Sequence, residues 1–178
     1  MATDDAPPLR VGVTGHRKLG ADKLVAWFVH AQCVRLLDRF QALARLRGAE
    51  VVAYSALAVG ADQLFAHAAL GLGIPLVGVI PFENYPADFD GADRERFDDL
   101  LGRCRDVRRL RHKTRSARAY FDVGKWVVNE VDYLVAVWDG RPAGGTGGTA
   151  DVVRYAEKKG VPVFRVDPSA VGRPPCDA

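Results

Sequence analysis

Residues 133–155 read YLVAVWDGRPAGGTGGTADVVRY. The apolar run 133–137 predicts a buried strand, Trp138-Asp139-Gly140 ends it, and Val152, Val153 and Ala156 resume at helical spacing. Between them lie Gly144, Gly145, Gly147 and Gly148, four glycines in five positions, followed by Thr149. Glycine lets backbone N–H groups approach an anion with no Cβ in the way, and a helix start adds unpaired donors and a partial positive charge. Strand, glycine loop and helix start together suit a phosphate, with a flexible turn as the plain alternative. No GK[ST] follows, so the loop is not a P-loop, and its place late in the chain is not that of a first-strand GxGxxG.

Working outward, the chain repeats the alternation of strand and helix. Strands are expected at 9–14, 50–54, 75–80, 106–110, 133–137 and 162–166, with helices at 21–47, from about 61 to 71–73, at 92–103, at 119–130, and after Gly148 until Gly160. This order of elements predicts one Rossmann-like three-layer α/β/α domain over 9–167, with a mainly parallel sheet of about six strands and right-handed crossovers. Residues 1–8 and the proline-rich 168–178 read as flexible ends.

In such sheets the ligand sits beyond the carboxyl ends of the strands, where the strand order reverses. Four clusters fall there: Gly15-His16-Arg17, Ser55 through Gly60 to Asp62, Pro81-Phe82, and Trp138-Asp139-Gly140 with the loop behind it. Arg17 suits a phosphate as a fork of charged donors, and a solvated surface position is its plain alternative. His16 either meets the ligand or caps a neighbouring helix. Asp62, at a helix start, either contacts the ligand or caps. Trp138 is a base-stacking or a core tryptophan, Asp139 a ribose contact or a turn former, and Thr149 and Asp151 are ligand contacts or helix caps.

Composition bounds the rest. The chain has 178 residues, 48% hydrophobic and 26% charged, with a net charge of +3, as expected of a single globular domain. No apolar run reaches the ~20 residues of a membrane span, and 1–8 has no signal-peptide character, so a cytoplasmic protein is expected. Cys33, Cys104 and Cys176 form neither a CxxC nor an even set. No metal and no cofactor is therefore expected. The run 103–118 holds eight Lys or Arg and one acid, Asp106, without interleaved aromatics, so a nucleic-acid partner is not favoured. The apolar helix 21–47 leaves a homo-oligomer open.

Two stretches carry a family resemblance. SALAVGADQLFAHAALGLGIPLVGVIP (55–81) resembles the S-G-x-A-x-G-[IA]-D segment of the DNA-processing protein A (Smf) family, and VDYLVAVWDGRPAGGTGGTADVV (131–153) resembles the strand and P-G-G-x-G-T-x-x-E motif of the Lonely Guy family. Both families belong to the SLOG superfamily of Rossmann-like nucleotide-binding domains, and the resemblance spans about 11–166. It implies a nucleotide or nucleotide-derived ligand, with Ser55 and Asp62 in the matching Smf segment. Lonely Guy proteins are phosphoribohydrolases that use an Arg and the motif's Glu. Here Gly148-Thr149 match the motif's G-T and Gly145 one of the paired glycines. The other glycine falls at Thr146 and the Glu at Val152, leaving Asp151 as the nearest carboxylate and Lys125 as the approximate match to the Arg. Three readings follow: a nucleotide-binding or sensing protein, a Lonely Guy-like nucleotide N-glycosidase with Asp151 and Lys125 as candidate catalytic residues, and Smf-like binding of single-stranded DNA.

Overall fold

A computed structural model describes residues 6–20, 22–142 and 147–172. Gly144, Gly145 and Thr146 lie outside the described residues. The elements alternate as expected: β1 (Leu9–Gly15), α1 (Lys23–Arg45), β2 (Val51–Ser55), α2 (Ala61–Gly71), β3 (Leu76–Phe82), α3 (Gly91–Gly102), β4 (Asp106–His112), α4 (Ala117–Glu130), β5 (Tyr133–Val137), α5 (Thr149–Lys159) and β6 (Val163–Val166). Two 3-10 turns, Tyr85–Asp88 and Pro168–Ala170, complete the list. The second occupies the start of the segment expected to be a loose tail, and Asp167 ties it by accepting from the Ser169 N–H at 2.9 Å. β4 runs two residues past its expected end at Leu110, because it pairs with β3 through a register shift between Ile80 and Phe82.

All six strands are parallel, in the order β4-β3-β2-β1-β5-β6. The order reverses between β1 and β5, so their carboxyl ends, Gly15 and Val137, sit side by side at the switch point. Both faces of the sheet are covered, which is why β3 is buried along its whole length and reads as a continuous apolar run. α1, α2 and α3 close one core with Val11, Phe65 and Phe97, while α4 and α5 close a second with Val127, Leu134 and Val152.

The long α1 starts on Asp22, whose carboxylate accepts from the Leu24 N–H at 2.8 Å. Its residues Val29, Cys33, Leu37, Phe40 and Ala44, three or four apart, turn into the core. Burial pushes the Cys33 thiol up to about 12, so this cysteine packs as a small apolar side chain. The apolar stripe that left a homo-oligomer open is thus largely consumed inside the domain; Leu24 and Trp27, 63% and 70% exposed, stay outside. Among the described residues, no helix is long and apolar enough to cross a membrane.

Candidate functional site

A cavity of about 300 Å³ opens at the switch point. β1 and the residues after it supply Val13 to Arg17, the β2–α2 connection and the start of α2 Ala56, Ala58 and Asp62, the end of β3 and the 3-10 turn after it Pro81 and Tyr85, α4 Tyr120, Val123, Gly124 and Val127, and the β5–α5 connection with the start of α5 Trp138, Arg141 and Gly147 to Ala150. Four of the sequence clusters, remote along the chain, therefore meet on one hollow.

The β1 and β2 loops are locked together by backbone. Gly60 has φ +88°, and a Cβ there would lie 2.5 Å from the carbonyl oxygens of both His16 and Arg17, so only glycine fits the crossing. The Ala61 N–H donates to the His16 carbonyl at 3.1 Å. Gly60 itself does not line the cavity, and neither does Ser55. Ser55 is fully buried; its hydroxyl donates to the Asp62 carbonyl at 3.1 Å and accepts from the Leu57 N–H at 3.0 Å. That tie holds Leu57, a buried non-glycine residue at φ 58°, in the left-handed region. Ser55 shapes the site from behind.

Asp62 faces the cavity from the first turn of α2, 7% exposed. Burial pushes its carboxyl up to about 7, opposed by the Arg17 charge and by the backbone N–H groups of Ala58 and Ala56 nearby. Arg17 lies across the Tyr120 ring, its Cζ 4.2 Å from the ring centroid. The Tyr120 hydroxyl donates to the Asp88 carboxylate.

On the β5 side, Trp138 lines the cavity with its indole fixed: Nε1 donates to the Arg141 carbonyl at 2.8 Å, and the Arg165 guanidinium covers the ring at 5.5 Å. Asp139 does not line the cavity. It accepts from the Arg141 N–H at 3.0 Å, and His16 Nε2 lies 3.2 Å from its Oδ1. The Arg141 N–H, helped by His16, holds the Asp139 carboxyl below the usual range. Asp139 is thus the turn former of this corner, and His16 braces β1 to it. Gly140, at φ +86° against the Arg165 guanidinium, completes the turn outside the cavity.

Gly147, Gly148 and Thr149 all line the cavity. Gly148 caps α5 without any side-chain hydrogen bond. The N–H groups of Asp151 and Val152 bond to the Gly148 carbonyl, and those of Thr149 and Ala150 precede them as first-turn donors. Gly147, at φ +85°, approaches α4 so closely that a Cβ would stand 2.8 Å from the Ala117 carbonyl.

The two candidate catalytic residues lie elsewhere. Asp151 does not line the cavity; its Oδ2 accepts from the Gly147 N–H at 2.8 Å and its Oδ1 pairs with Arg154. The Gly147 N–H, then Arg154, hold this carboxyl below its usual range. Lys125 pairs with Asp122 and lies over Phe121, 4.9 Å from the ring centroid, also away from the cavity. Conversely, Thr14, Tyr85, Tyr120, Gly124 and Arg141 line it without having been singled out in the sequence. The aromatic loop after β3 was a signal for Tyr85, since it follows a strand's carboxyl end. Tyr120 had none, because only the packing of α4 across β3 and β1 brings it there.

Fold and cavity together define a Rossmann-like α/β domain with a cavity at its switch point, the fold that the SLOG resemblance implied. Solved structures share it. DNA processing protein A from Streptococcus pneumoniae superposes with a TM-score of 0.63 at 19% identity over 90% of this chain and 50% of that one. DNA processing protein A from Helicobacter pylori, studied for its single-stranded DNA binding mode, gives 0.60 at 18% identity over 90% and 66%. TM1055, a structural-genomics target, gives 0.54 at 17% identity over 87% and 72%. The chain thus spans half the length of the first and about two-thirds of the second. No protein-family model matches the chain, and no curated protein matches its sequence.

Proposed function

We propose that the chain binds a nucleotide or nucleotide-derived ligand in the switch-point cavity, as a binding or sensing protein. The observation that carries this reading is that the start of α5, capped by Gly148 with no side chain, lines the same hollow as Arg17. A phosphate there takes first-turn N–H donors, the positive end of the helix and a guanidinium at once. A volume of about 300 Å³ sits at the small end of ligand pockets and suits one nucleotide unit. Trp138, immobilised on one face by Arg165, offers an aromatic wall for a base.

The glycosidase reading needs a carboxylate near the sugar. Asp151 is turned onto the Gly147 N–H, which leaves Asp62 as the carboxyl facing the cavity. Binding of single-stranded DNA is favoured by the likeness to the DNA-processing protein A structures and by the basic run 103–118, whose eight Lys and Arg are all exposed. Five of the eight pair with carboxylates: Arg103 with Asp99, Arg105 with Glu50, Arg108 with Asp106, Arg115 with Asp88 and Arg118 with Asp122. This weakens the patch as a phosphate track.

The test is a thermal-shift screen against nucleoside monophosphates, the matching nucleosides and oligothymidylate, with chromatography of each stabilising mixture. Stabilisation by phosphate-bearing members, with the nucleotide recovered intact, is the expected result. Release of free base would convert the reading to a glycosidase. Stabilisation by oligothymidylate alone, with steep loss of affinity in added salt, would replace it with DNA binding.

A further inference from the structure

An arginine can be held in place by a carboxylate or by an aromatic face, and the two differ for an incoming anion. A carboxylate neutralises the guanidinium, so the anion must break or share that pair. A ring holds the same group by its plane and leaves the charge and the N–H edges available. The cavity contains both arrangements. Arg141 has its Nε 3.7 Å from the Asp139 carboxylate. Arg17 has no carboxylate oxygen within 4.0 Å among the described residues, although its charge reaches the buried Asp62 carboxyl, and it lies on the Tyr120 ring, 4.2 Å from its centroid.

The ring is itself fixed. Its hydroxyl donates to Asp88, and its edge packs on Phe82 at 6.0 Å and beside Tyr85 at 6.4 Å. The Asp88 carboxylate, 8% exposed, is also approached by Arg115 Nε at 3.7 Å. A nearly buried charge would be costly alone; here the phenol and Arg115 offset it. Arg115, the seventh cation of the basic run, thus serves this brace. Ser116 caps α4 by accepting from the Ala119 N–H at 3.1 Å, which sets where Tyr120 stands.

Resting on the phosphate reading above, we propose that Tyr120, tethered by Asp88, is a positioning residue that presents the Arg17 guanidinium to a ligand phosphate without neutralising it. A loop arginine left unbraced would lose rotamer freedom on binding, and the ring removes much of that cost beforehand.

The test uses ribose 5-phosphate and ribose as probes, a pair that isolates the phosphate and is independent of the base. Affinities are read by thermal shift for the wild type and for Arg17→Ala, Tyr120→Leu and Tyr120→Phe. The wild type is expected to favour ribose 5-phosphate over ribose. Tyr120→Leu is expected to reduce that preference about two- to fivefold, the range for a cation–π contact at an exposed arginine. Tyr120→Phe, which restores the ring, is expected to recover most of it. A purely structural role for Tyr120 would shift the melting temperature without altering the preference. No preference in the wild type overturns the proposed function and this inference together. A preference abolished by Arg17→Ala but unchanged in Tyr120→Leu overturns this inference alone. Should Tyr120→Leu not fold, NMR of the free wild type decides: side-chain resonances of Arg17 shifted upfield by the ring support the proposal, and unshifted ones overturn it.

Discussion

At Asp62 the cavity sets two demands against each other. Burial favours the neutral carboxyl, while Arg17 and two backbone N–H groups favour the charged one, and burial wins, at about 7. A carboxyl raised from 3.8 binds more protons folded than unfolded between those two values. The stability it contributes is therefore present at low pH and falls as pH rises from about 4 to about 7, then stays level. Over that window the linkage amounts to about 4 kcal/mol at most. Asp62→Asn is expected to be more stable than wild type above pH 7 and to flatten this part of the curve, as urea melts across the pH range would measure. A wild-type curve already flat between pH 4 and 7 would contradict the assigned burial. Asp151 behaves oppositely, its carboxyl held low by the Gly147 N–H and Arg154. Asp151→Ala should cost about 1 kcal/mol through the lost tie to the loop. Any base release by the protein should survive that substitution once stability is matched, whereas abolition of release with binding intact would restore Asp151 as a catalytic residue. The sequence showed both residues as carboxylates at helix starts; only the packing told the cavity-facing one from the loop tie.

Helix placement decides whether the α5 start can serve a ligand at all. α4 and α5 touch at Gly124, where a Cβ would lie 2.5 Å from Val152 Cγ2. Gly124→Ala should therefore push the two helices apart and cost about 1–3 kcal/mol. Adding Val152→Ala should return part of that loss, because the two changes share one contact. Chemical denaturation of the four chains in the cycle would show it, and strictly additive losses would refute the close approach. The connection before α5 is constrained in the same way. Gly147→Val meets the Ala117 carbonyl and takes a residue with a Cβ to φ +85°. A loss of about 2–3 kcal/mol is expected, together with loss of nucleotide-dependent stabilisation. Unchanged ligand affinity in a folded Gly147→Val protein would remove the glycine connection from the site. The glycine pattern announced a special backbone, but the partner of Gly147 is a carbonyl 30 residues earlier, which no local reading contains.

For the molecule as a whole, binding to the folded state raises stability by mass action. A nucleotide present at 100 times its dissociation constant adds about 2.7 kcal/mol, which for a chain of this size corresponds to a rise of roughly 5–10 °C in melting temperature. A rise that does not grow with ligand concentration would argue against binding at a native site. The layered architecture followed from the sequence alone: apolar runs of strand length alternating with amphipathic helices admit little besides a parallel sheet covered on both faces, and strand ends in such a sheet carry the ligand. Strand order was another matter. That β1 sits between β2 and β5, placing Gly15 beside Val137, depends on long-range pairing, and so does the arrival of Tyr85 and Tyr120 beside Arg17. Local spacing fixes which face a residue takes on its own strand or helix. Which residues from distant elements share one cavity is decided by how those elements pack, and that is where the choice between Asp62 and Asp151, and the brace on Arg17, were made.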